Sequence, residues 1–490
     1  MTRRPLVKIV SFVSVLALAM AVPSLAASAK GTSNPKLGIV KVGPKDGGGE
    51  PSIATGPEGN LYVSYPAGSG PTFFRSTNGG VKWTKGTYAD NQSGDTSVNV
   101  DASGAVYQGN LNGFTLDPNM LQTDVYKSTD FGGSWTLGAG PVVQSNSTNN
   151  PFFVDRPWTD AWIPPGGTTN TARVYIEYHD FGPSQIWVSS STDGGANFGP
   201  PVDVITSPAA QAASFCNTVP GGVKVVQTGP HAGRIYAAWL AADAATNIGQ
   251  GCNITMLQTF HTAWIAWSDD GGTTWTDQQV FDGGIGHDAS ALFADLTLDN
   301  QGNPYIAFCD DLTHQIGQTT GDWNMYVMGA QVDATGTPVW SGPFQANTSA
   351  TKTNFFPAIT AGDPGKVDVA YIGSASEEPT LPYGKPQPGG DPNATWNVFF
   401  DQSLNLFAAS PAWTVTQVTP SPMHQGDVCT LGIFCVDPNS NRNLLDFIDV
   451  AIGTDGRGHV AYTNDITAKA EGIYAANQTG GATIGLPVFG

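Results

Sequence analysis

Short apolar runs alternate with turn-forming residues along most of the chain. The clearest example is 51–65 (PSIATGPEGNLYVSY), where two apolar strands flank a turn that contains glycine, and the second strand ends in an aromatic residue. This unit recurs, in looser form, at 96–110, 156–178, 223–239, 291–308, 356–371 and 447–462. The pattern predicts seven pairs of antiparallel strands in an all-β protein.

Each of the first four pairs is followed by a further strand and a distinctive turn of the form Ser-x-Asp/Asn-x-Gly-x-x-aromatic. This form predicts a hairpin in which the serine and acid or amide side chains hydrogen-bond nearby main chain, glycine adopts positive φ, and the ring covers the turn. The positions are Ser76, Asn78, Gly80 and Trp83; Ser128, Asp130, Gly133 and Trp135; Ser191, Asp193, Gly195 and Phe198; and Ser268, Asp270, Gly272 and Trp275. A strand that leaves each turn completes a four-stranded blade.

The later units keep strand-like runs at 323–332, 396–406 and 413–418 without a good copy of this turn. The last unit lacks a fourth strand, and the run 37–42 (LGIVKV) near the start of the chain can supply it and cover the exposed edge. The sequence therefore predicts a single β-propeller of seven four-stranded blades, closed by an N-terminal strand. A six-bladed ring is the alternative, if 96–110 belongs to an irregular blade.

The four turns resemble the Asp boxes of the sialidase-like, or BNR-repeat, β-propellers. In a propeller, the turns between strands one and two and between strands three and four lie on one face, which carries the Asp boxes. The crossovers between blades lie on the other face, where a ligand usually sits over the central axis. The residues that flank the inner strands on that face are mostly carboxylates: Glu50, Asp95, Asp155, Arg156, His179, Asp180, His287, Asp288, Asp310, Asp311, Asp446 and Asp465.

One second strand differs from the other six. The residue before its closing position is Glu177, whereas the corresponding residues are Ser64, Gly109, Ala238, Ala307, Ala370 and Ala461. A long carboxylate in a slot that otherwise holds small residues costs desolvation energy unless it is paired or used. Two interpretations stay open: a structural ion pair of Glu177 with Arg156 or Arg173, and a functional site.

If this blade is catalytic, two carboxylates can divide the work of glycoside hydrolysis. The hypothesis assigns Asp155 as acid/base, Glu177 as its partner and Arg156 as the residue that orients the substrate. Trp158 and Trp162 offer a surface for sugar stacking, with packing inside the blade as the alternative. The predicted substrate-binding residues are Trp158, His179, Asp180, His287 and Asp310.

The family resemblance also implies, from its sialidases, three arginines that grip a carboxylate, an Arg-Ile-Pro motif and a Tyr/Glu nucleophile pair. No Arg-Ile-Pro occurs in this sequence. Of the arginines, only Arg156 is well placed: Arg173, Arg234 and Arg457 fall in turns on the opposite face, Arg75 lies beside an Asp box, and Arg442 lies in a loop. A neutral glycan or another glycosidic substrate stays open. The alternative to a glycoside hydrolase is a non-catalytic propeller that binds glycan or protein.

Charge and the N-terminal segment narrow the function classes. The chain has 40 acidic and 21 basic residues and a net charge of −19, which argues against binding nucleic acid through a basic patch. Residues 1–29 read as a signal peptide, with a basic start, an apolar stretch at 9–22 and Ala-Ser-Ala at 27–29. The prediction is a secreted, monomeric protein with one propeller domain over 30–490 and no later membrane span; retention by an uncleaved anchor is the alternative.

Five cysteines in an exported chain predict two disulfides and one free thiol. Cys429 and Cys435 are near neighbours, and Cys216 and Cys252 fall on the same face of one blade, so these are the predicted pairs. Cys309 lies in a strand pattern that favours a buried thiol. No metal-ligand spacing is diagnostic, so no cofactor is required; structural Ca²⁺ in the acidic loops stays open.

Overall fold

Antiparallel strands make up nearly all of the regular structure in this computed structural model. It describes residues 34–67, 70–91, 94–112, 122–139, 154–180, 185–243, 252, 259–284, 286–313, 318–319, 321–347, 350–377, 390–432, 435 and 440–489. The predicted signal peptide, 1–29, lies outside the described residues. Within the described ranges, α-helix is confined to α1 (Pro208–Ala213), whose first turn is capped by the Ser207 side chain.

The strands form seven sheets arranged around a central axis. In chain order they are β1 (Lys36–Gly43), β2 (Ser52–Thr55), β3 (Leu61–Tyr65), β4 (Thr72–Ser76), β5 (Thr84–Lys85), β6 (Thr96–Val100), β7 (Val106–Asn112), β8 (Gln122–Ser128), β9 (Thr136–Leu137), β10 (Val154–Trp162), β11 (Arg173–Asp180), β12 (Gln185–Ser191), β13 (Val202–Asp203), β14 (Asn217–Val225), β15 (Ile235–Ala242), β16 (Thr262–Ser268), β17 (Thr276–Asp282), β18 (Asp295–Leu298), β19 (Pro304–Asp310), β20 (Asn324–Val332), β21 (Pro338–Gln345), β22 (Thr353–Ala361), β23 (Val367–Ser374), β24 (Thr395–Ser403), β25 (Trp413–Gln417), β26 (His424–Gln425), β27 (Asp449–Ile452), β28 (Gly458–Asn464) and β29 (Gly472–Gly480).

Blades 1 to 6 each take four consecutive strands, starting with β2, β6, β10, β14, β18 and β22, and β26 adds to blade 6 by pairing with β24. The first strand of each blade contacts the first strand of the next, so these strands line the axis. Blade 7 consists of β27, β28 and β29 with β1 as its outer strand. The prediction of seven four-stranded blades is confirmed, and the six-bladed alternative is wrong.

The N-terminal strand closes the ring as the sequence predicted. β1 runs antiparallel to β29, from Lys36 opposite Gly480 to Gly43 opposite Ile473. Because β29 would otherwise be the edge of blade 7, this pairing covers its free hydrogen-bonding groups. The first and last parts of the described chain therefore belong to one sheet.

Side chains between neighbouring blades form the apolar core. Every residue of β15 and of β23 is buried, because a second strand has another blade packed against each of its two faces. Large rings fill the space between the sheets: Trp239 stacks on Trp264 with 6.1 Å between ring centroids. Its indole nitrogen donates to the Ser214 hydroxyl at 3.1 Å, so the buried polar atom is satisfied.

The four predicted turns join the third and fourth strands of blades 1 to 4 and have the expected hydrogen bonds. In the fourth turn the Ser268 hydroxyl donates to Asp270 (2.8 Å) and accepts from the amide of Gly272 (2.9 Å). Asp270 also accepts from the amide of Thr274 at 2.9 Å. By strand order, these turns lie on the face opposite the starts of the inner strands.

One residue of the second turn was predicted wrongly. The amide of Gly132, whose φ is 78°, donates to the Ser128 hydroxyl at 2.8 Å. Gly133, the residue named from the sequence, donates instead to the carbonyl of Asp130. In this turn Phe131, with a φ of 61°, stands directly before Gly132. The other three turns have a glycine at the position that Phe131 occupies.

Replacing Asp270 with alanine is expected to lower stability and leave activity unchanged. Its carboxylate organises an exposed turn far from the axial face, so the loss of its hydrogen bonds should cost about 1 kcal/mol. Chemical denaturation of the variant and of wild type measures this difference, and Thr273→Ala on the same turn is the matched control. A loss of activity at unchanged stability would contradict a structural role for the turn.

Three carboxylates on the inner strands, which line the central channel, join neighbouring blades. Each accepts a hydrogen bond from the main chain of the next inner strand: Asp160 from Val225 (2.7 Å), Asp295 from Ile359 (2.7 Å) and Asp449 from Ile53 (2.8 Å). They surround a cavity of about 220 Å³ that Lys224 also lines. Each of these hydrogen bonds links two neighbouring blades, so the three carboxylates contribute to holding the ring together.

Both predicted disulfides are present. Cys216 is bonded to Cys252 with their Cα atoms 4.6 Å apart, and Cys429 to Cys435 with 6.0 Å. Cys309 is a free, buried thiol, as its strand pattern predicted.

Candidate functional site at the axial face

A bulge in β10 directs Arg156 to the end of the central channel. Asp155 pairs with His179 and Trp158 pairs with Glu177, so this stretch of β10 has one residue more than its partner strand. Arg156 has a φ of 56° and is followed by proline, which has no amide to donate to the ladder. The bulge turns the Arg156 side chain out of the blade, and the side chain is fully buried.

Groups from several blades meet around this guanidinium. Its Nη1 lies 3.4 Å from Glu50 Oε2 of blade 1, and its Nε lies 3.7 Å from Asp95 Oδ2 of blade 2. Its Cζ lies 4.3 Å from the centroid of the Phe447 ring before blade 7 and 5.5 Å from that of Phe293 before blade 5. Arg156 therefore sits on the propeller axis, although blade 3 carries it.

Three acidic side chains near the guanidinium differ in the direction of their pKa shifts. Burial, together with the charge of Asp95, raises the pKa of Glu50 and of Asp155 well above their ordinary values. Burial also raises the pKa of Asp95, but the charge of Arg156 and interactions with Glu50 and Asp155 outweigh burial and leave that pKa lowered. Asp95 is therefore the group of the three that most readily carries a negative charge.

Arg442 is a residue of this site that sequence reasoning missed. Its Nε donates to Asp446 Oδ1 at 3.1 Å and its Nη2 donates to Oδ2, so the pair is bidentate. The amide of Asp446 donates to Glu50 Oε2 at 3.2 Å, which ties the pair to the cluster. No local sequence pattern indicated this residue, because the segment before blade 7 meets blade 1 only when the ring closes. The Arg442 side chain is 29% exposed, unlike that of Arg156.

Glu177 forms neither an ion pair nor a hydrogen bond with Arg156 or Asp155 in the described structure. The Glu177 side chain is fully buried, and neither oxygen has a hydrogen-bond partner within the described ranges. Burial raises its pKa well above the ordinary value, opposed by the main chain of Gly222 and by Lys224, both in blade 4. The structure shows no ion pair of Glu177 with Arg156 or Arg173 among the described residues. Its predicted role as catalytic partner of Asp155 stays a prediction.

The remaining predicted substrate-binding residues are in different surroundings. Trp158 is half-buried, with its ring 5.3 Å from that of Phe447 and 5.1 Å from the Arg156 Cζ, so it forms part of the floor under the cluster. Burial lowers the pKa of His179 to about 3, so this imidazole is neutral near neutral pH. Asp180 is half-buried at the end of β11. Substrate binding by these residues stays a prediction.

A second acidic group lies at the end of β19 in blade 5. Asp310 is fully buried, and burial, with the charges of Asp288 and Asp311, raises its pKa well above the ordinary value. His287 Nδ1 lies 2.7 Å from the carbonyl oxygen of Asp311 and 3.8 Å from Asp310 Oδ1. Across the parts of the chain that the structure describes, no three His, Cys, Asp or Glu side chains are arranged to hold a metal ion. Nor does any described helix have the length and apolar character to span a membrane.

The fold and site define a class: a seven-bladed β-propeller with a carboxyl-rich site where its axis meets the crossover face. No protein-family model and no curated protein matches the chain. Among solved structures, it is similar to an ulvan lyase, described as belonging to a new family of polysaccharide lyases. The identity is 12%, over 93% of this chain and 95% of that one, with a TM-score of 0.49.

Two further solved structures are similar over comparable lengths. The α-L-arabinofuranosidase Arb93A from Fusarium graminearum is 11% identical, over 92% of this chain and 98% of that one, with a TM-score of 0.43. The intramolecular trans-sialidase from Ruminococcus gnavus is 12% identical, over 90% of this chain and 97% of that one, with a TM-score of 0.41. At such low similarity, the chemistry of the site rests on this chain's own residues.

Proposed function

We propose that this protein is a glycan-processing β-propeller of the sialidase-like class, a glycoside hydrolase whose centre is the axial cluster of Glu50, Asp95, Asp155 and Arg156. One observation carries the proposal: Glu50 and Asp95 lie 3.4 and 3.7 Å from the buried Arg156 guanidinium on the axis, beside Asp155. The opposite directions of the Asp95 and Asp155 pKa shifts agree with it. A protonated and an ionised carboxyl side by side are what glycoside hydrolysis requires. The compared enzymes act on glycans, but the proposal stands on the cluster.

In this proposal Asp155 is the general acid and Asp95 is the ionised partner. Asp155 gives its proton to the oxygen of the leaving sugar, and Asp95 stabilises or attacks the positively charged sugar ring that develops. Asp95 is 18% exposed and Asp155 is half-buried, so both can be reached from the crossover face. Asp95 thus takes the role that the sequence hypothesis gave to Glu177.

The substrate has to enter between the two side chains. In the free protein, Asp155 and Asp95 are neighbours that change each other's pKa, whereas the carboxyl groups of a retaining pair lie roughly 5–5.5 Å apart with the sugar between them. We therefore expect binding to include a side-chain rotation that directs the Asp155 proton to the glycosidic oxygen. Trp158 and Phe447 below the cluster fix the depth that a sugar ring can reach.

A screen of glycans with wild type and three variants tests the proposal. Asp155→Asn and Asp95→Asn are each expected to lower kcat by about 10²- to 10⁴-fold, the usual contribution of a positioned acid or base. Glu177→Gln, a buried carboxyl of the same blade outside the cluster, is the matched control and should keep its activity. Rescue of Asp95→Gly by azide would identify Asp95 as the nucleophile.

Two results would end the catalytic proposal. Equal turnover by wild type, Asp155→Asn and Asp95→Asn would place the chemistry elsewhere. Glycan or protein binding by wild type without turnover of any substrate would instead support a non-catalytic binding propeller.

Export from the cytosol is part of the proposed function. The two disulfides support it, because such bonds persist in oxidising compartments. N-terminal sequencing of the protein recovered from the medium checks it, and the mature chain is expected to begin at Lys30. Recovery only in the membrane fraction with an intact N-terminus would favour the anchored alternative.

A further inference from the structure

Arg156 is closed off from any substrate. Its side chain has no exposed area, and each of its three guanidinium nitrogens is buried without a hydrogen-bond partner in the described structure. Its contacts with Glu50 and Asp95, at 3.4 and 3.7 Å, are longer than the about 2.7–2.9 Å of a charge-assisted hydrogen bond. The guanidinium thus acts on its neighbours mainly through its charge.

Arg156 has two kinds of neighbour. Aromatic rings lie near it, with centroids 4.3 Å (Phe447), 5.1 Å (Trp158) and 5.5 Å (Phe293) from Cζ. Such ring faces attract a cation but accept no strong hydrogen bond. The other neighbours are the carboxyl groups of Glu50 and Asp95. A buried charge with this environment is held in place by the rings and compensated only by the carboxylates.

We propose that Arg156 is a positioning residue that keeps Asp95 in its charged form and correct rotamer, and that it does not touch the substrate. This inference rests on the proposed function and changes the role that the sequence hypothesis gave to Arg156. The negative charge on Asp95 distinguishes its role, as the ionised partner, from the role of Asp155, which donates the proton. Removing the guanidinium should let Asp95 take up a proton, and the pair would then lack its base.

The other charged groups that face Asp95 do not replace Arg156. Glu50, Asp155 and Asp446 are themselves acidic, so none of them supplies a positive charge to Asp95. Arg442 also favours the ionised form of Asp95, but its effect is smaller than that of Arg156, and Asp446 binds it in a bidentate pair. Because Arg442 is partly exposed, it serves as the matched control: a cation of the same site that a substrate can reach.

Steady-state kinetics separate the two roles. Arg156→Met is expected to lower kcat about a hundredfold or more, with KM changed less than about threefold because no substrate contact is lost. The acid limb of its pH profile should move up by at least about one pH unit. Arg156→Lys, which keeps the charge, should recover most of the rate. Arg442→Met should act mainly on KM.

Infrared titration without substrate gives a readout that does not depend on activity. The carboxyl signal that disappears in Asp95→Asn identifies Asp95, and its midpoint should rise by at least about one pH unit in Arg156→Met. An unchanged midpoint would overturn the inference, as would a tenfold rise in KM with unchanged kcat. If the wild type hydrolyses no glycan, the titration still decides the role of Arg156 and only the proposed function fails.

Arg156→Met lacks a buried charge and is therefore checked for folding by circular dichroism. Should it not fold, Phe447→Leu carries the test, because it shifts the guanidinium relative to Asp95 without removing its charge. It is then expected to raise the Asp95 midpoint in the infrared titration, whereas Arg156→Lys should leave that midpoint close to the wild-type value. No shift in Phe447→Leu would overturn the inference.

Discussion

Deletion of β1 (Lys36–Gly43) is expected to prevent the protein from forming a stable ring. β1 pairs with β29 along its length and is the fourth strand of blade 7. Its loss removes a ladder of main-chain hydrogen bonds, each of which contributes about 0.5–1.5 kcal/mol, so the total is on the order of 5 kcal/mol. That is a large part of the stability of an ordinary domain. Thermal unfolding and size-exclusion chromatography of the deletion variant measure the effect.

The exposed edge of β29 provides a sharper form of the same experiment. A synthetic peptide with the sequence of β1 should bind the deletion variant by strand addition and restore its unfolding transition. Single substitutions supply matched controls: Val42 is 6% exposed and Ile39 is 36% exposed, so Val42→Ser should destabilise more than Ile39→Ser. A deletion variant as stable as wild type, with no peptide effect, would contradict a closing role for β1.

The fold could be predicted because its signals are local and repeated. Each blade contributes its own strand pair and turn, so the number of blades follows from periodicity alone. The closing strand could be predicted because the last blade had only three strands in its sequence pattern, and the run 37–42 belonged to no other blade. The Cys429–Cys435 disulfide followed from the short spacing of the two cysteines, and the Cys216–Cys252 disulfide from assigning loops to faces. None of these steps required the direction of a single side chain.

The site was harder to predict because it depends on side-chain direction and on loops from distant blades. The second-strand comparison did identify equivalent positions: Glu177 pairs with Trp158 as Ala238 pairs with Gly222 and Ala307 with Asp295. It could not show the bulge after Asp155. Because of that bulge, the Arg156 side chain points in a different direction from the side chains that follow it in β10. Arg156 therefore does not pair with Glu177, although the two residues lie on neighbouring strands.

The first strands contain a second signal of the site. Trp158 is as exceptional in the first strands as Glu177 is in the second, because the equivalent positions hold Ser52, Ser97, Gly222, Asp295, Ala358 and Asp449. Comparison of the first strands would have indicated that Trp158 belongs to the axis. Arg442 and Phe447 reach the site only because blade 7 closes next to blade 1, and no local pattern contains that contact.

Replacing Glu177 with glutamine is expected to change how stability depends on pH. The carboxyl is fully buried, opposite Trp158 and facing blade 4, and burial raises its pKa well above the ordinary value of 4.5. In the folded protein it therefore keeps its proton at pH values where the unfolded chain has lost it. Between those two pKa values, the folded state binds one proton more than the unfolded state does, so stability falls as pH rises.

The difference between wild type and Glu177→Gln isolates this effect, because other buried carboxyl groups contribute equally to both proteins. Below about pH 4.5 the two curves of unfolding free energy should run parallel. Above it, the wild type should lose about 1.4 kcal/mol per pH unit relative to the variant, until the pH passes the pKa of the folded state. Urea denaturation at a series of pH values measures both curves. Curves that stay parallel up to pH 8 would show that Glu177 is ionised in the folded protein. That result would contradict the description of Glu177 as a carboxyl group buried without a partner between blades 3 and 4.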